Sequence, residues 1–294
     1  NNMAYLDNWE KIFSNNKSIC MNPWILMHDG QDGNTNLCGR NWDKIKKRED
    51  IVNWKTDPAY SKVRNKMLKG EKISGCRECY FFEKKGMRDM RWTDSFDWIT
   101  RLKIKSPDDL KKIKDPAYFE IRPSNKCNLK CRMCNPSFST TWAIENRSHG
   151  LFLQPHEKVV KDTFKDNHYV LELVKNRILT GELTHINISG GEPLLTQANY
   201  ELLTFLIDND CADKVYICYS TNLSKLDYKK IDLLDLWKHF KRVTLEVSCD
   251  GWGEAVEYSR TGFNRKDFLH NLKTIMSHSN IRTQINCVVN IYSV

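Results

Sequence analysis

The chain has 294 residues, 40% of them hydrophobic and 28% charged, a balance that suits a folded globular protein and excludes collagen, coiled coil and bulk disorder. Its length fits about two domains. The formal net charge of +9 suits an acidic partner such as a nucleic acid or an acidic peptide, although no dense Lys/Arg block with interleaved aromatics is present and Lys-favouring codon usage is the plainer source. No apolar run approaches the roughly 20 residues that span a bilayer, so no membrane association is expected. Residues 1–10 are polar and acidic and lack the basic start and apolar core of a signal peptide, so a cytoplasmic location is expected.

Eleven cysteines are many for such a chain, and in a reducing compartment clustered cysteines bind metal or do chemistry. Residues 1–80 form the first group. Cys20 is followed by Pro23-Trp24, by His28-Asp29-Gly30 and by Cys38; Trp54, Arg64 and then Cys76-Arg77-Glu78-Cys79 come later. Two separate cysteines closing onto a C-x-x-C supply four thiolates, enough for a closed site that holds either zinc or an iron–sulfur cluster. Trp24 and Trp54 read as core residues. Residues 81–116 carry no cysteine and much charge, and read as a linker; within them Ser106 caps a short helix with Pro107 at its first position.

From Ala117 the pattern changes. A strand over 118–122 runs into a cysteine loop. Helical apolar spacing covers 158–178, through Val159, Val160, Phe164, Val170, Leu171, Leu173 and Val174. Strands then alternate with helices: strand 184–189, helix 200–207, strand 214–220, helix 232–240, strand 243–248, helix 266–277 and strand 282–290. Such alternation builds parallel βα units, so residues 117–294 are expected to form an α/β domain behind a small cysteine-rich α+β module. A barrel sheet should not end on a strand without its covering helix, so the chain is expected to continue past Val294.

The loop after the first strand reads Lys126-Cys127-Asn128-Leu129-Lys130-Cys131-Arg132-Met133-Cys134. Three thiolates this close together suit soft metals and iron–sulfur clusters. A cubane has four irons, so three cysteines leave one iron open to a small chelating molecule. A zinc knuckle would need a fourth ligand at short spacing, and the next histidine downstream is His149.

This C-x-x-x-C-x-x-C loop resembles the hallmark of the radical S-adenosylmethionine (SAM) superfamily. The resemblance extends over residues 117–294 and implies a partial (β/α) barrel of the radical SAM type. It implies a [4Fe-4S] cluster on Cys127, Cys131 and Cys134 whose open iron chelates SAM. Reductive cleavage of SAM then yields a 5′-deoxyadenosyl radical that abstracts hydrogen from a substrate. Met133 stands where the family often has an aromatic residue near the adenine. Gly190-Gly191-Glu192-Pro193 is similar to the family's GGEP turn, whose backbone and glutamate contact the SAM amino group. Thr221-Asn222 is similar to its TN-G pattern, with Leu223 in place of the glycine. Ser248-Cys249-Asp250-Gly251 is similar to its S-x-D-G, and Arg260 falls where the family often has an arginine. Asn222, Ser248 and Asp250 are thereby implied at the ribose and carboxylate of SAM, at the strand ends where parallel barrels place their sites.

The first cysteine group resembles the SPASM/twitch modules of these enzymes, which implies an auxiliary iron–sulfur cluster on Cys20, Cys38, Cys76 and Cys79. Such modules usually follow the barrel; this one precedes it. Family resemblance further implies a peptide or protein substrate and an electron donor such as flavodoxin or ferredoxin. An RNA substrate is the alternative motivated by charge, and a non-catalytic metal or electron-transfer protein is a third reading. Cys211, Cys218, Cys249 and Cys287 read as small buried hydrophobes, with Cys249 alone lying beside the implied SAM pocket.

Overall fold

The computed structural model describes residues 16–30, 34–41, 43–47, 50–51, 53–151, 160, 168–181 and 183–292. The N-terminal stretch 1–10, Val159 and Phe164 of the expected 158–178 helix, and Val294 lie outside the described residues. The chain divides into two compact units, Asn1–Glu120 and Ile121–Val294.

In the first unit, strands β1 (Leu26–Asp29), β2 (Asn34–Asn36) and β3 (Lys46–Lys47) pair antiparallel. Helix α1 (Pro58–Leu68) starts where the Asp57 carboxylate accepts from the Ala59 and Tyr60 amides, with Pro58 pre-set for the first turn. Its buried stripe is Tyr60, Arg64 and Met67, at helical spacing. Burying an arginine requires partners for every donor. Arg64 donates to the carbonyls of Pro23 (2.7 Å), Lys55 (2.6 Å) and Trp54 (3.3 Å), and its guanidinium lies 4.1 Å from the centre of the Trp54 ring.

Helix α2 (Arg77–Lys84) and helix α3 (Met90–Leu102) follow. The stretch 81–116, expected as a linker, is thus largely helical. Trp98, Ile99 and Leu110 are buried, and the Ser95 hydroxyl accepts from the Met21 amide at 3.0 Å. Much of the charge that suggested a linker sits on exposed faces, in pairs such as Arg101–Asp97 and Lys111–Asp108. The expected cap at Ser106 is present as a capping box with Asp109, opening a short 3₁₀ turn at Pro107–Lys112.

Strand β4 (Tyr118–Ile121) leads into the second unit. There the chain runs through β5 (Lys130–Cys131), α4 (Thr140–Ser148), α5 (His168–Leu179), β6 (His185–Ile188), α6 (Gln197–Asp208), β7 (Tyr216–Thr221), α7 (Leu233–Trp237), β8 (Val243–Ser248), α8 (Glu254–Ser259), β9 (Arg260–Thr261), α9 (Arg265–Met276) and β10 (Ile281–Asn286). Helix α4 falls in a stretch the sequence reading left unassigned. Strands β6, β7, β8 and β10 are parallel neighbours in that order, and the Ser189 amide donates to the Ile121 carbonyl at 3.0 Å. The architecture is mixed α/β with a parallel sheet, as the alternation requires.

Burial along β6, β7 and β8 alternates strictly. Ile217, Tyr219 and Thr221 of β7 and Val243, Leu245 and Val247 of β8 are buried. This face meets the helices: Tyr219 donates to Asn199 of α6 at 2.7 Å, and its ring lies 5.6 Å from that of Trp237 of α7. The opposite face carries Cys218, Ser220, Thr244, Glu246 and Ser248, all half-buried. The residues between these strands and the helices that follow gather at the C-terminal strand ends.

Candidate cofactor site

The three-cysteine loop is held through its own backbone amides and carbonyls, mostly by side chains. Thr140 donates from its amide to the Asn125 carbonyl (3.0 Å), and its hydroxyl bridges the amide and carbonyl of Cys127 (3.2 Å each). The Leu129 carbonyl accepts from Ser139 Oγ (2.8 Å) and Thr141 Oγ1 (2.6 Å), and the Cys131 carbonyl accepts from Trp142 Nε1 (2.8 Å). The first turn of α4 is therefore a clamp on the loop. Ser139 also caps that helix, accepting from the Trp142 amide. On the other side, β5 pairs antiparallel with β9, which sets Cys131 opposite Arg260. Cys134 turns back, its amide donating to the Cys131 carbonyl at 2.9 Å.

Arg260 joins two of the motifs. It grips Asp250 with two nitrogens (2.7 and 3.0 Å) and directs a third at Cys131 Sγ (3.7 Å). Asp250, 1% exposed, also accepts from the Val288 amide at 2.9 Å. Burial of the guanidinium pulls its pKa down, but the hydrogen bonds to Asp250, with Coulomb attraction to Cys131 and Asp250, outweigh it and raise the pKa. Burial pushes the Cys127 thiol up to about 12 and that of Cys131 to about 11, and raises Cys134. Bare, these are neutral thiols; only a cationic centre makes thiolates of them.

The glycine turn lies directly on the loop. The Gly191 amide donates to the Ser124 carbonyl (3.0 Å) and the Glu192 amide to the Lys126 carbonyl (2.7 Å). A Cβ on Gly191 would stand 2.3 Å from that Lys126 oxygen, so only glycine fits. Gly190 adopts φ +121°, open only to glycine. Pro193 is buried at the start of a 3₁₀ turn.

Glu192 is 1% exposed. Its carboxylate is buried and accepts from Thr221 Oγ1 (2.7 Å), the Asn222 amide (2.7 Å) and the Leu194 amide (3.2 Å). Burial raises its pKa to about 7 against these bonds, which pull the other way. Asn222 in turn donates to Asn128 Oδ1 at 3.0 Å and accepts from the Ser224 amide. Leu223 is fully buried at φ +55°, the conformation that the family's glycine would take without strain. Met133 is 36% exposed on the loop, and Ser248 is half-buried at the end of β8. Cys249 is buried, its thiol against the Gly251 carbonyl, while Cys287 is exposed. Asn128 and Thr140 also belong to this site, and the sequence reading passed over them because each is a common polar residue whose partner lies on another element; Thr221, of the Thr221-Asn222 motif, serves the site as a donor to Glu192.

In the first unit Cys20, Cys38, Cys76 and Cys79 line one cavity together with Asn22, Asn41 and Arg91. Cys76 ends a 3₁₀ turn and Cys79 lies one helical turn further, on α2. Asn41 donates to Cys76 Sγ at 3.5 Å. Gly75 permits this closure, since a Cβ there would meet Asn41 Nδ2 at 2.6 Å. Burial is the largest influence on all four thiols: it lifts Cys20 well above its ordinary value, Cys38 to about 12, and Cys76 and Cys79 to about 11. Sulfur donors in both places are of the chemistry that iron–sulfur clusters take, while among the described residues no three His, Cys, Asp or Glu side chains are grouped as they would be around a metal ion.

A family model described as the Radical SAM superfamily matches residues 121–292. Among solved structures, the chain is similar to SuiB of Streptococcus suis. The form bound to S-adenosylmethionine is 16% identical with a TM-score of 0.41, over 75% of this chain and 48% of that one. A second SuiB structure is 18% identical with a TM-score of 0.41, over 78% and 48%. A third, bound to precursor peptide SuiA, is 17% identical with a TM-score of 0.40, over 74% and 48%. The chain thus spans about half the length of these proteins. No curated protein matches it. Among the described residues, no helix is long and apolar enough to cross a membrane. The family match covers the cysteine loop, the glycine turn, Asp250 and Arg260, and the chain belongs to the Radical SAM superfamily of enzymes.

Proposed function

We propose that this chain carries the catalytic core of a radical SAM enzyme that modifies a peptide or protein. The observation that carries the reading is the convergence of the cysteine loop, the Gly190–Gly191 turn and the Asp250–Arg260 pair on one patch. Cys127, Cys131 and Cys134 would hold a [4Fe-4S] cluster. Reduced and with SAM bound, that group would supply the one electron that splits SAM into methionine and the 5′-deoxyadenosyl radical, which would abstract hydrogen from the substrate.

The protein's part is binding and orientation. The backbone of Gly190 and Gly191 would receive the SAM amino group. The Glu192 carboxylate, engaged by Thr221 and Asn222, acts as the brace that sets the turn against the end of β7. Asn222, Ser248 and Asp250 would face the ribose and carboxylate, and Met133 the adenine. Arg260 fixes Asp250 and adds positive charge beside Cys131, which favours the thiolate.

Cys20, Cys38, Cys76 and Cys79 would hold an auxiliary iron–sulfur cluster with no open iron, suited to electron transfer or support. Their resemblance to SPASM/twitch modules is what favours a peptide substrate, with flavodoxin or ferredoxin as the reductant.

Anaerobic reconstitution tests this reading. About eight irons per chain, about four in Cys127→Ala/Cys131→Ala/Cys134→Ala, and dithionite-dependent 5′-deoxyadenosine from SAM are expected. About four irons in the wild type and none in the triple variant would leave the core reading and make the first site zinc or structural. No iron and no 5′-deoxyadenosine would end both.

A further inference from the structure

The half-buried face of the parallel sheet carries a row of polar groups that the cofactor reading does not use. Register places the half-buried Ser220 of β7 and Glu246 of β8 beside the exposed Gln284 of β10. Ser220 Oγ donates to Glu246 Oε2 at 3.0 Å, and Gln284 Nε2 donates to Glu246 Oε1 at 3.1 Å. Two neutral donors thus hold this carboxylate in place from both sides. A carboxylate offers about four lone-pair sites, so about two stay open. No Lys or Arg among the described residues pairs with it, although the chain has 46 of them. Arg282 stands at the register of Thr244, two residues from Glu246, and forms no ion pair with Glu246.

The same face holds orphaned polar atoms. Asn187, at the register of Cys218, has a buried Oδ1 without a hydrogen-bond partner. Ser189, one residue on from the Ile188–Tyr219 pair, extends the Ser220–Glu246–Gln284 row by one strand, and its buried hydroxyl has no partner either. Buried polar groups are normally satisfied, and those that are not call for a ligand or another explanation. Ser189 precedes the Gly190–Gly191 turn, and Ser248 lies two residues beyond Glu246. The row therefore runs beside the SAM patch, where a substrate would have to sit.

We infer that this row is a substrate subsite in which Glu246 receives the cationic side chain of a lysine or arginine, while Asn187 and Ser189 accept from the rest of the peptide. The two ends are two strand spacings apart, roughly 10 Å, which about three extended residues span. The inference rests on the reading that the substrate is a peptide. SAM is itself cationic, so the test separates the two.

Two acetylated, amidated pentapeptides that differ only in a central lysine or glutamine are titrated calorimetrically into the reconstituted protein without reductant. The wild type is expected to bind the lysine peptide about tenfold tighter, the scale of a hydrogen bond to a charged group. Glu246→Gln, which keeps the shape, should lose that preference, and Glu246→Lys should instead prefer a central glutamate. Equal binding of both peptides by the wild type, or an unchanged preference in Glu246→Gln, overturns the proposal. Displacement of the lysine peptide from the wild type by SAM also overturns it, because the carboxylate then serves SAM. Dithionite-dependent 5′-deoxyadenosine from the wild type is measured separately: its absence would refute the radical reading, whereas the peptide preference reports only on Glu246.

Discussion

Arg260 holds Asp250 through two hydrogen bonds of 2.7 and 3.0 Å, both groups buried, and so ties the end of β8 to the strand that faces Cys131. Removing one partner leaves the other charge uncompensated. Asp250→Asn is expected to destabilise the protein by about 3–5 kcal/mol. Adding Arg260→Met to Asp250→Asn should recover part of that loss. Urea unfolding of the three proteins checks this, and equal midpoints for wild type and Asp250→Asn would refute it.

Leu223 sets two effects against each other. Its φ of +55° costs a non-glycine residue about 1 kcal/mol, so glycine would relieve strain. Its side chain is fully buried, and truncating a buried leucine costs about 2–5 kcal/mol. Burial wins: Leu223→Gly should destabilise by roughly 2 kcal/mol, despite matching the family's residue. A rise in the urea midpoint would show that strain dominates.

Much of the second unit was legible beforehand because each feature has a local signature. The two-residue period of β7 and β8 follows from one face meeting helices, and the cysteine loop is eight contiguous residues. The β5–β9 pairing has no such signature, since nothing near Cys131 announces Arg260. The α4 clamp depends on hydroxyls of Ser139, Thr140 and Thr141 reaching back to loop carbonyls, which a sequence does not reveal. The stretch 81–116 misled for a different reason. Many of its charges, such as Arg101 and Lys111, mark outer faces, while others, Asp89 and Arg91, are buried, as are Trp98, Ile99 and Leu110, which are isolated enough in sequence to be overlooked.

Gly191→Ala should disturb the site more than the fold. The new Cβ would meet the Lys126 carbonyl at 2.3 Å, and the turn and the cysteine loop must move apart. Reconstituted Gly191→Ala is expected to lose the iron of the core site while keeping that of the first unit. Iron counting against the triple cysteine variant checks this; a full iron complement would show that the loop tolerates the shift.

Glu192 gives a pH dependence of definite sign. Its carboxyl holds a proton more tightly folded, with a pKa of about 7, than in its ordinary state at 4.5. Its contribution to stability is therefore fully present below about pH 4.5 and is lost as the pH rises to about 7. Asp94, raised by burial from 3.8 to about 6, acts in the same direction over a lower window. Urea midpoints between pH 5 and 8 should fall less steeply with rising pH in Glu192→Gln than in the wild type. Parallel profiles would show that Glu192 is ionised throughout.

The pairing of Cys131 with Arg260 also imposes an order of events on biosynthesis. The two residues are 129 positions apart, and synthesis at roughly 5–20 residues per second separates their appearance by on the order of ten seconds. During that interval the cysteine loop has left the ribosome without the strand that shapes one of its sides. Until Arg260 has been made, the three thiols of the loop stand without the strand that pairs with Cys131.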